Sequence, residues 1–548
     1  MRTAGAILVF VAVSVASAVA LAFPLGGLSQ ALVWAAFAIG FASSILAWRG
    51  IRAQDPPTPS AWDVLMLTVF ALASLRAFLW LLYPVGDEWR VLSPNNLGDL
   101  SKHIHIIRYL ANGAHFWPES PFFPQVPLSY YFGTDLFNSL LLCVGFPLER
   151  SLVVIGLCGA ALSAWALWRW GGGFALAFLI FNGGLAGFLI FQTGHVEDFQ
   201  SDLAWKNFFL SMVVTQRALL YALPATLFLM AAWREDFFGK SSGLPEWIGW
   251  VLYSSMPIFC LQAFAFLSLL LAAMFFAIPG ARIRLLQFVA ASFLPASILV
   301  LLVTGMFTQD SGFHWHPGWM QGGDDWQLWL KGHGVSVPMS PVASSAIFWA
   351  VNFGFSIPLL GYLAWDVLKK RDPETLVFAG TGLAVFAICC FFQFARWDWD
   401  NTKFFLWAWL ACAPSIWNLI SRWKPAVRGL ACFLLFFSGA VSLVGGLDGR
   451  HGYKLVCRSD LDRARALLAE VPPLDRLATE PTFDNPAILL GRPVVCGYEG
   501  MLWAHGLDYQ DTLRRLNEVL AMRDPMTNAK AIHAKWIFQK ERPLLKVE

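Results

Sequence analysis

Apolar runs of roughly 20 residues follow one another from the start of the chain to about residue 446, with short polar breaks between them. Runs of that length match the hydrocarbon thickness of a bilayer and predict membrane-spanning helices. The expected spans are 4–23, 28–47, 62–83, 129–147, 150–169, 173–193, 209–232, 246–279, 284–305, 344–366, 374–394, 403–420 and 427–446, about thirteen in all. The run 246–279 is too long for one upright helix and contains Pro257. Its alternative is two short helices meeting at Met256-Pro257. In that case an earlier segment, Tyr130 to Gly145, does not cross fully.

The polar breaks are unequal. The longest, 84–128, carries Gly86-Asp87-Glu88-Trp89 and then Gly98-Asp99-Leu100-Ser101-Lys102-His103-Ile104-His105. The stretch from Leu447 to Glu548 is different again. An amphipathic helix is expected over Leu461–Glu470, short strands over Arg476–Glu480 and Pro493–Gly497, and a helical turn near Asn485–Leu490. Met501–Met522 reads as helix and Trp536–Gln539 as a closing strand. The fold class is therefore an α-helical polytopic membrane protein: a transmembrane unit over 1–446 and a small α/β domain over 447–548, the size of a compact unit.

Composition agrees. The chain is 57% hydrophobic and 14% charged, against roughly 25% charged in soluble proteins. A net charge of +3 gives no footing for nucleic acid. The basic residues instead set sidedness, because short basic loops stay in the cytoplasm. Arg49 to Arg52, Arg282 to Arg284, Lys369-Lys370-Arg371 and Arg422 to Arg428 are placed inside, which puts 84–128, 306–343, 395–402 and the tail outside. The first segment has a charged start and small residues near Ser17, as a signal peptide does. A second apolar run begins at once at Leu28, so it reads as an uncleaved span. Seven of the nine cysteines lie in apolar runs and behave as small hydrophobes. Cys457 and Cys496, in the tail, are either a pair or free thiols.

Several polar groups carry candidate chemistry. Asp99 and His103 share a helix face at a spacing of four, on a stretch suited to lie flat at a membrane surface. An Asp held there acts as a general base or binds a cation; equally, it caps the helix. Asp87 and Glu88 are a weaker acidic pair. Asp135, after Tyr130-Tyr131, is an intramembrane carboxylate or an interfacial one, and intramembrane acids default to functional readings. Arg217 lies in the run from Phe209 to Met230 and either pairs with a lipid phosphate or snorkels. Arg396, Asp398, Asp400, Asn401 and Lys403 form a second polar cluster at the same outer face. There Arg and Lys suit an anionic headgroup while Asp or Asn orients a hydroxyl. His314-Trp315-His316 with Asp324-Asp325 is read as a covering loop rather than a metal site. No P-loop, GxSxG elbow or dinucleotide fingerprint occurs.

The order of these features resembles the GT-C superfamily of polytopic glycosyltransferases, in a poorly characterised bacterial branch. The resemblance is carried by Asp99 to Ile104, Leu110-Ala111-Asn112-Gly113, Pro118 to Pro124 and Tyr130-Tyr131-Phe132. It continues through Phe181-Asn182-Gly183-Gly184, Gln216-Arg217, Trp349 to Gly354, Trp399 to Lys403, Gly491-Arg492-Pro493, Gly497-Tyr498-Glu499-Gly500 and Trp503-Ala504-His505-Gly506. It implies inverting transfer of a sugar from a polyprenyl-phosphate-type lipid at the extracytoplasmic face of a bacterial inner membrane. Asp99 would be the base, with Asp87 and Glu88 as rival acids, and His103 would position the donor phosphate or the base. Arg217, Arg396 and Lys403 would neutralise the leaving phosphate; Tyr131, Asp135, Asp400 and Asn401 would complete substrate binding. Some GT-C enzymes use a divalent metal and others do not, and no residue here settles which. The competing expectation is a transporter or flippase of lipid-linked saccharides, whose polar groups would gather at broken helices near mid-membrane.

Overall fold

The computed structural model describes residues 1–52, 58–93, 96–239, 241–307, 313–322, 324–332, 340–396, 399–449 and 452–547, without the side chains of 322, 324, 325, 341, 399 and 400. The chain starts as a helical hairpin, α1 (Arg2–Leu25) and α2 (Gln30–Gly50). The two helices pack so closely that a Cβ on Gly40 would strike Ser14. Gly26 ends α1 at φ 87°, a left-handed cap that costs glycine nothing. α3 (Ala61–Leu79) begins at a capping box between Ser60 and Asp63. Then come β1 (Tyr83–Val85), β2 (Glu88–Val91), α4 (Asn96–Ala111), α5 (Gly133–Cys143) and α6 (Leu148–Ile180). α6 breaks at Gly171 and Gly172.

Past α6 the backbone is irregular, apart from a 3-10 turn at Ala186–Leu189 and α7 (Ile190–Thr193), until a π-helical turn at Phe209–Val214 leads into α8 (Leu219–Phe238). α9 (Glu246–Phe259), α10 (Leu261–Ala277) and α11 (Arg282–Val303) follow. Beyond them lie β3 (His314–Trp315), α12 (Trp319–Gly322), α13 (Asp324–Gly332), α14 (Pro341–Asn352), α15 (Ser356–Lys370), α16 (Pro373–Thr375) and α17 (Thr381–Phe391). β4 (Phe392–Gln393), α18 (Trp399–Ile420) and α19 (Pro425–Leu447) complete this part. β3 pairs antiparallel with β4, so the His314–His316 stretch lies over the end of α17.

Among the described residues seven helices are long and apolar enough to cross a membrane, and α14 with α15, bent by 87°, would make an eighth. Two of the other apolar runs fold differently from single spans. The run 246–279 is an antiparallel pair: Tyr253 of α9 and Ser268 of α10 share a hydrogen bond of 2.8 Å. The break falls at Cys260, extended at φ −161°, three residues beyond Pro257. α5 is only 11 residues long, about 16 Å at 1.5 Å per residue, and too short to cross about 30 Å of hydrocarbon. Its residues Gly133 to Leu140 are all buried in protein.

The basic loops gather at one end. Arg2 donates to the Ile51 carbonyl at 2.7 Å, and the Arg52 amide donates to the Gly243 carbonyl at 3.2 Å. Arg284 pairs with Asp236 at 3.2 Å and with Glu246 at 2.9 Å. The 84–128 segment and the tail lie at the other end, and they are built together. The tail comprises β5 (Tyr453–Cys457), α20 (Arg458–Leu467), β6 (Leu477–Ala478), α21 (Pro486–Leu489), α22 (Glu499–Ala504), α23 (Gln510–Leu520), α24 (Pro525–Ala531), β7 (Trp536–Ile537) and β8 (Leu545–Lys546). β5 adds antiparallel to β2, making a sheet of order β1-β2-β5. β6-β7-β8 form a second sheet, parallel at β6-β7. The expected helix over 501–522 is two helices, because the chain turns between them at Gly506, φ 70°. The stretch 493–497 makes one parallel bridge, Val494 to Leu477. Val495, Cys496 and Leu502 belong to the main core, whereas Ala464, Leu468, Leu477 and Phe538 form a small core of their own.

Candidate active site

A cavity of about 640 Å³ opens where α4, the π-helical turn, the α9–α10 break, the end of α11, the start of α18 and the tail meet. Its polar wall begins with Asp99 in the first turn of α4. One carboxylate oxygen accepts from Lys102 Nζ at 3.1 Å, the other from Gln216 Nε2 at 3.2 Å. Burial pushes this carboxyl up, but Lys102, His103 and Lys403 together hold it below the usual carboxylate value. Asp99 is therefore ionised at neutral pH, with its side chain 30% exposed to the cavity.

Tyr130 and Tyr131 extend this wall. Their rings stack at 4.6 Å. An ammonium group lies against each: Lys102 Nζ is 4.7 Å from the Tyr130 centroid and Lys403 Nζ 5.3 Å from that of Tyr131. Such contacts favour a cation over a ring face. Lys403 also donates to the Tyr131 hydroxyl at 2.6 Å. The tail supplies the facing wall with Tyr498, Met501 and His505, the last 6.0 Å from Tyr130 by ring centroids. The remaining side is apolar: Leu261, Val303 and Phe307, with Phe307 67% exposed at the end of α11.

Beneath the cavity lies a buried ionic cluster. His103 Nδ1 is 2.7 Å from Asp135 and Arg217 Nε is 3.7 Å from the same carboxylate; His103 is 1% exposed, the other two 2%. No guanidinium nitrogen of Arg217 has a hydrogen-bond partner among the described residues. The Gln216-Arg217 pair thus reaches two carboxylates: Gln216 holds Asp99 and Arg217 faces Asp135. With His103 one turn below Asp99 on α4, the contacts close a ring around the cavity floor.

The other expected site residues fall elsewhere. Asp87 accepts from the backbone amide and hydroxyl of Ser459, capping the start of α20, and Glu88 pairs with Arg90 at 2.8 Å. Asp87 through Ser459, and Glu88 through Lys454 at 4.0 Å, tie the 84–128 segment to the tail, and neither lines the cavity. Asn401 is buried and spends its amide on the backbone: Oδ1 accepts from Phe394 N at 2.8 Å and Nδ2 donates to Phe392 O at 2.7 Å. Arg396 is half-buried just beyond the cavity-lining Ala395. The side chain of Asp400 lies outside the described residues. Of the expected set, Asp99, Tyr131 and Lys403 come together in the cavity, and His103, Asp135 and Arg217 lie under it.

Sequence reasoning gave Gln216 no role of its own beside Arg217, and it passed over Lys206. Lys206 lines the cavity from the irregular stretch between α6 and α8. The signal was present, since it is a lone cation between two apolar runs. No group of three or more His, Cys, Asp or Glu side chains gathers among the described residues. Among the described residues, the groups bonded to Asp99 are the Lys102 ammonium and the Gln216 amide.

No protein-family model and no curated protein matches the chain. Solved structures do. The oligosaccharyltransferase of Archaeoglobus fulgidus, in complex with Zn and sulfate, matches at 12% identity and TM-score 0.49, over 86% of this chain and 67% of that one. Archaeal AglB from the same organism, with an inhibitory peptide and a dolichol-phosphate, matches at 11% and 0.44, over 87% and 69%. ArnT from Cupriavidus metallidurans, in the apo state, matches at 12% and 0.42, over 83% and 90%. At TM-scores below 0.5 these are likenesses in the course of the chain only.

Proposed function

We propose that this protein is a membrane glycosyltransferase that takes a sugar from a polyprenyl-phosphate-type lipid at the extracytoplasmic face of a bacterial inner membrane. The observation that carries the reading is the single cavity joining an ionised carboxylate, Asp99, lysine ammonium groups and an apolar side between α10 and α11. An amphiphilic phosphate ester needs this combination: a cationic place for its headgroup and an apolar exit for its chain. The acceptor hydroxyl donates to Asp99. Its oxygen then attacks the sugar's anomeric carbon as the bond from that carbon to the phosphate oxygen breaks, with inversion. The proton passes to Asp99 late, when bond formation has made the hydroxyl acidic enough for a low-pKa carboxylate. Lys403 stabilises the charge that develops on the departing phosphate. Asp87 and Glu88 act in joining the tail to the 84–128 segment. The basic loops face the cytoplasm, leaving the cavity and the 447–548 domain outside.

The test uses purified protein in proteoliposomes with defined polyprenyl-phosphate sugars. Asp99→Asn, at unchanged thermal stability, is expected to lose transfer by about 10²-fold or more. Transfer at the wild-type rate overturns the assignment of the base. In intact spheroplasts, external protease is expected to cut the tail; a tail cut only after lysis overturns the sidedness.

A further inference from the structure

The irregular backbone between α6 and α8 lies among the membrane helices, where unpaired amides and carbonyls are tolerated only if protein satisfies them. Four buried amide side chains do this. Asn182 accepts from Phe208 N at 2.7 Å and donates to the Lys206 carbonyl at 2.7 Å. Gln200 donates to the Trp205 carbonyl at 2.9 Å. Asn207 donates to the Ile180 carbonyl at 2.7 Å, and Asn352 of α14 accepts from Ala204 N at 2.9 Å. The Thr402 hydroxyl donates to the Ala204 carbonyl at 3.4 Å, linking this stretch to the turn of α18 that carries Lys403. All of these bonds converge on residues 204–208. The residue that this stretch contributes to the cavity lining is Lys206.

We infer that Lys206 is a phosphate-binding residue, acting with Lys403 on the phosphate or diphosphate headgroup of a lipid. Both lysines line one cavity. The first turn of α10 enters it too, through Leu261 and Gln262, and its N-cap Cys260 supplies no side-chain cap, so the positive end of that helix adds to the field. The apolar side at Val303 and Phe307 adjoins. Arg217, one of three cations that the motif resemblance offered, faces Asp135 below the cavity. This inference rests on reading the cavity as the donor site, yet it concerns binding and not transfer.

The experiment titrates the full-length purified chain, in detergent, with farnesyl diphosphate and with inorganic pyrophosphate, following heat. Wild type is expected to bind farnesyl diphosphate, and Lys206→Ala to bind it about tenfold or more weakly, the loss of one charge-assisted contact. Lys206→Arg, which keeps the charge, is expected to retain more binding than Lys206→Ala. Asp99→Asn, which removes a carboxylate from the same cavity, is expected to bind at least as tightly as wild type; if it binds but does not transfer, binding and catalysis separate as proposed. Wild-type binding by Lys206→Ala, equal loss in Lys206→Arg and Lys206→Ala, or no binding by wild type overturns the inference. Farnesyl diphosphate binding more tightly than pyrophosphate supports a lipid headgroup, whereas equal affinities support the phosphate site and overturn the lipid as its source.

Discussion

At the scale of single residues, the cavity floor depends on one buried carboxylate serving two partners. Asp135 faces both His103 and Arg217, each almost free of solvent contact. Removing its charge leaves the guanidinium buried without a counter-ion, which costs about 3–5 kcal/mol in comparable buried pairs. Asp135→Asn is therefore expected to lower the thermal midpoint sharply in detergent. The double variant Asp135→Asn with Arg217→Met is expected to recover part of the loss, because no charge is then stranded. A midpoint unchanged by Asp135→Asn would mean that the cluster holds nothing in place. The residue scale also shows what engages Asp87 and Glu88, the rival acids that the resemblance implied. They look like an acidic motif beside a span, but their oxygens are engaged by Ser459, Arg90 and Lys454.

Elements here are positioned by their breaks as much as by their lengths. Gly184 and Gly354 meet backbone to backbone: a Cβ on Gly184 would run into the Val351 carbonyl and Asn352, and one on Gly354 into Gly184. That approach lets the Leu185 amide donate to the Val351 carbonyl at 3.0 Å and brings Asn352 to the 204–205 amides. Asn352→Leu leaves those two buried amides without their acceptor, at a cost of about 1–3 kcal/mol. The expected result is faster hydrogen exchange over 200–208 while α1 and α2 keep wild-type protection. Unchanged exchange there would show that the stretch does not depend on its amide brace. The same logic accounts for the α9–α10 pair. Pro257 lacks the amide hydrogen that a continuing helix needs, and Cys260 leaves helical geometry three residues later.

In the whole molecule, the tail completes the cavity and is bound to the rest through α4. His105 Nε2 donates to the Arg492 carbonyl at 2.8 Å, and the ring meets the edge of Phe122. Its Nδ1 has no hydrogen-bond partner among the described residues. Burial pushes this imidazole down from 6.5 to about 3, with the bond to Arg492 offsetting part of that shift and Arg476 adding to it. The folded chain thus holds fewer protons here than the unfolded chain between those two values. His105 therefore favours the docked tail above about pH 6.5, and that contribution is lost as pH falls toward 3. Thermal midpoints measured from pH 7 to 4.5 are expected to fall for wild type and to fall less for His105→Gln. Identical slopes would place the acid sensitivity at another group.

The amino-acid order determined the membrane class, the end at which the basic loops gather, the polar 84–128 segment and most helices of the tail. Each follows from local properties: run length against bilayer thickness, charge in short loops, and periodicity. Asp99, Tyr131 and Lys403 were also legible, since a polar side chain next to an apolar run stands out without coordinates. Folding decided what distance along the chain conceals. Nothing local tells a spanning run from a short helix buried in protein such as α5, because both are apolar. Likewise Gln216 became a partner of Asp99 across 117 positions, and Lys206 became a cavity cation only through amides drawn from four separate places. Hydrogen bonds and ion pairs depend on separation in space, and that separation is set by helix packing that no stretch of sequence contains alone.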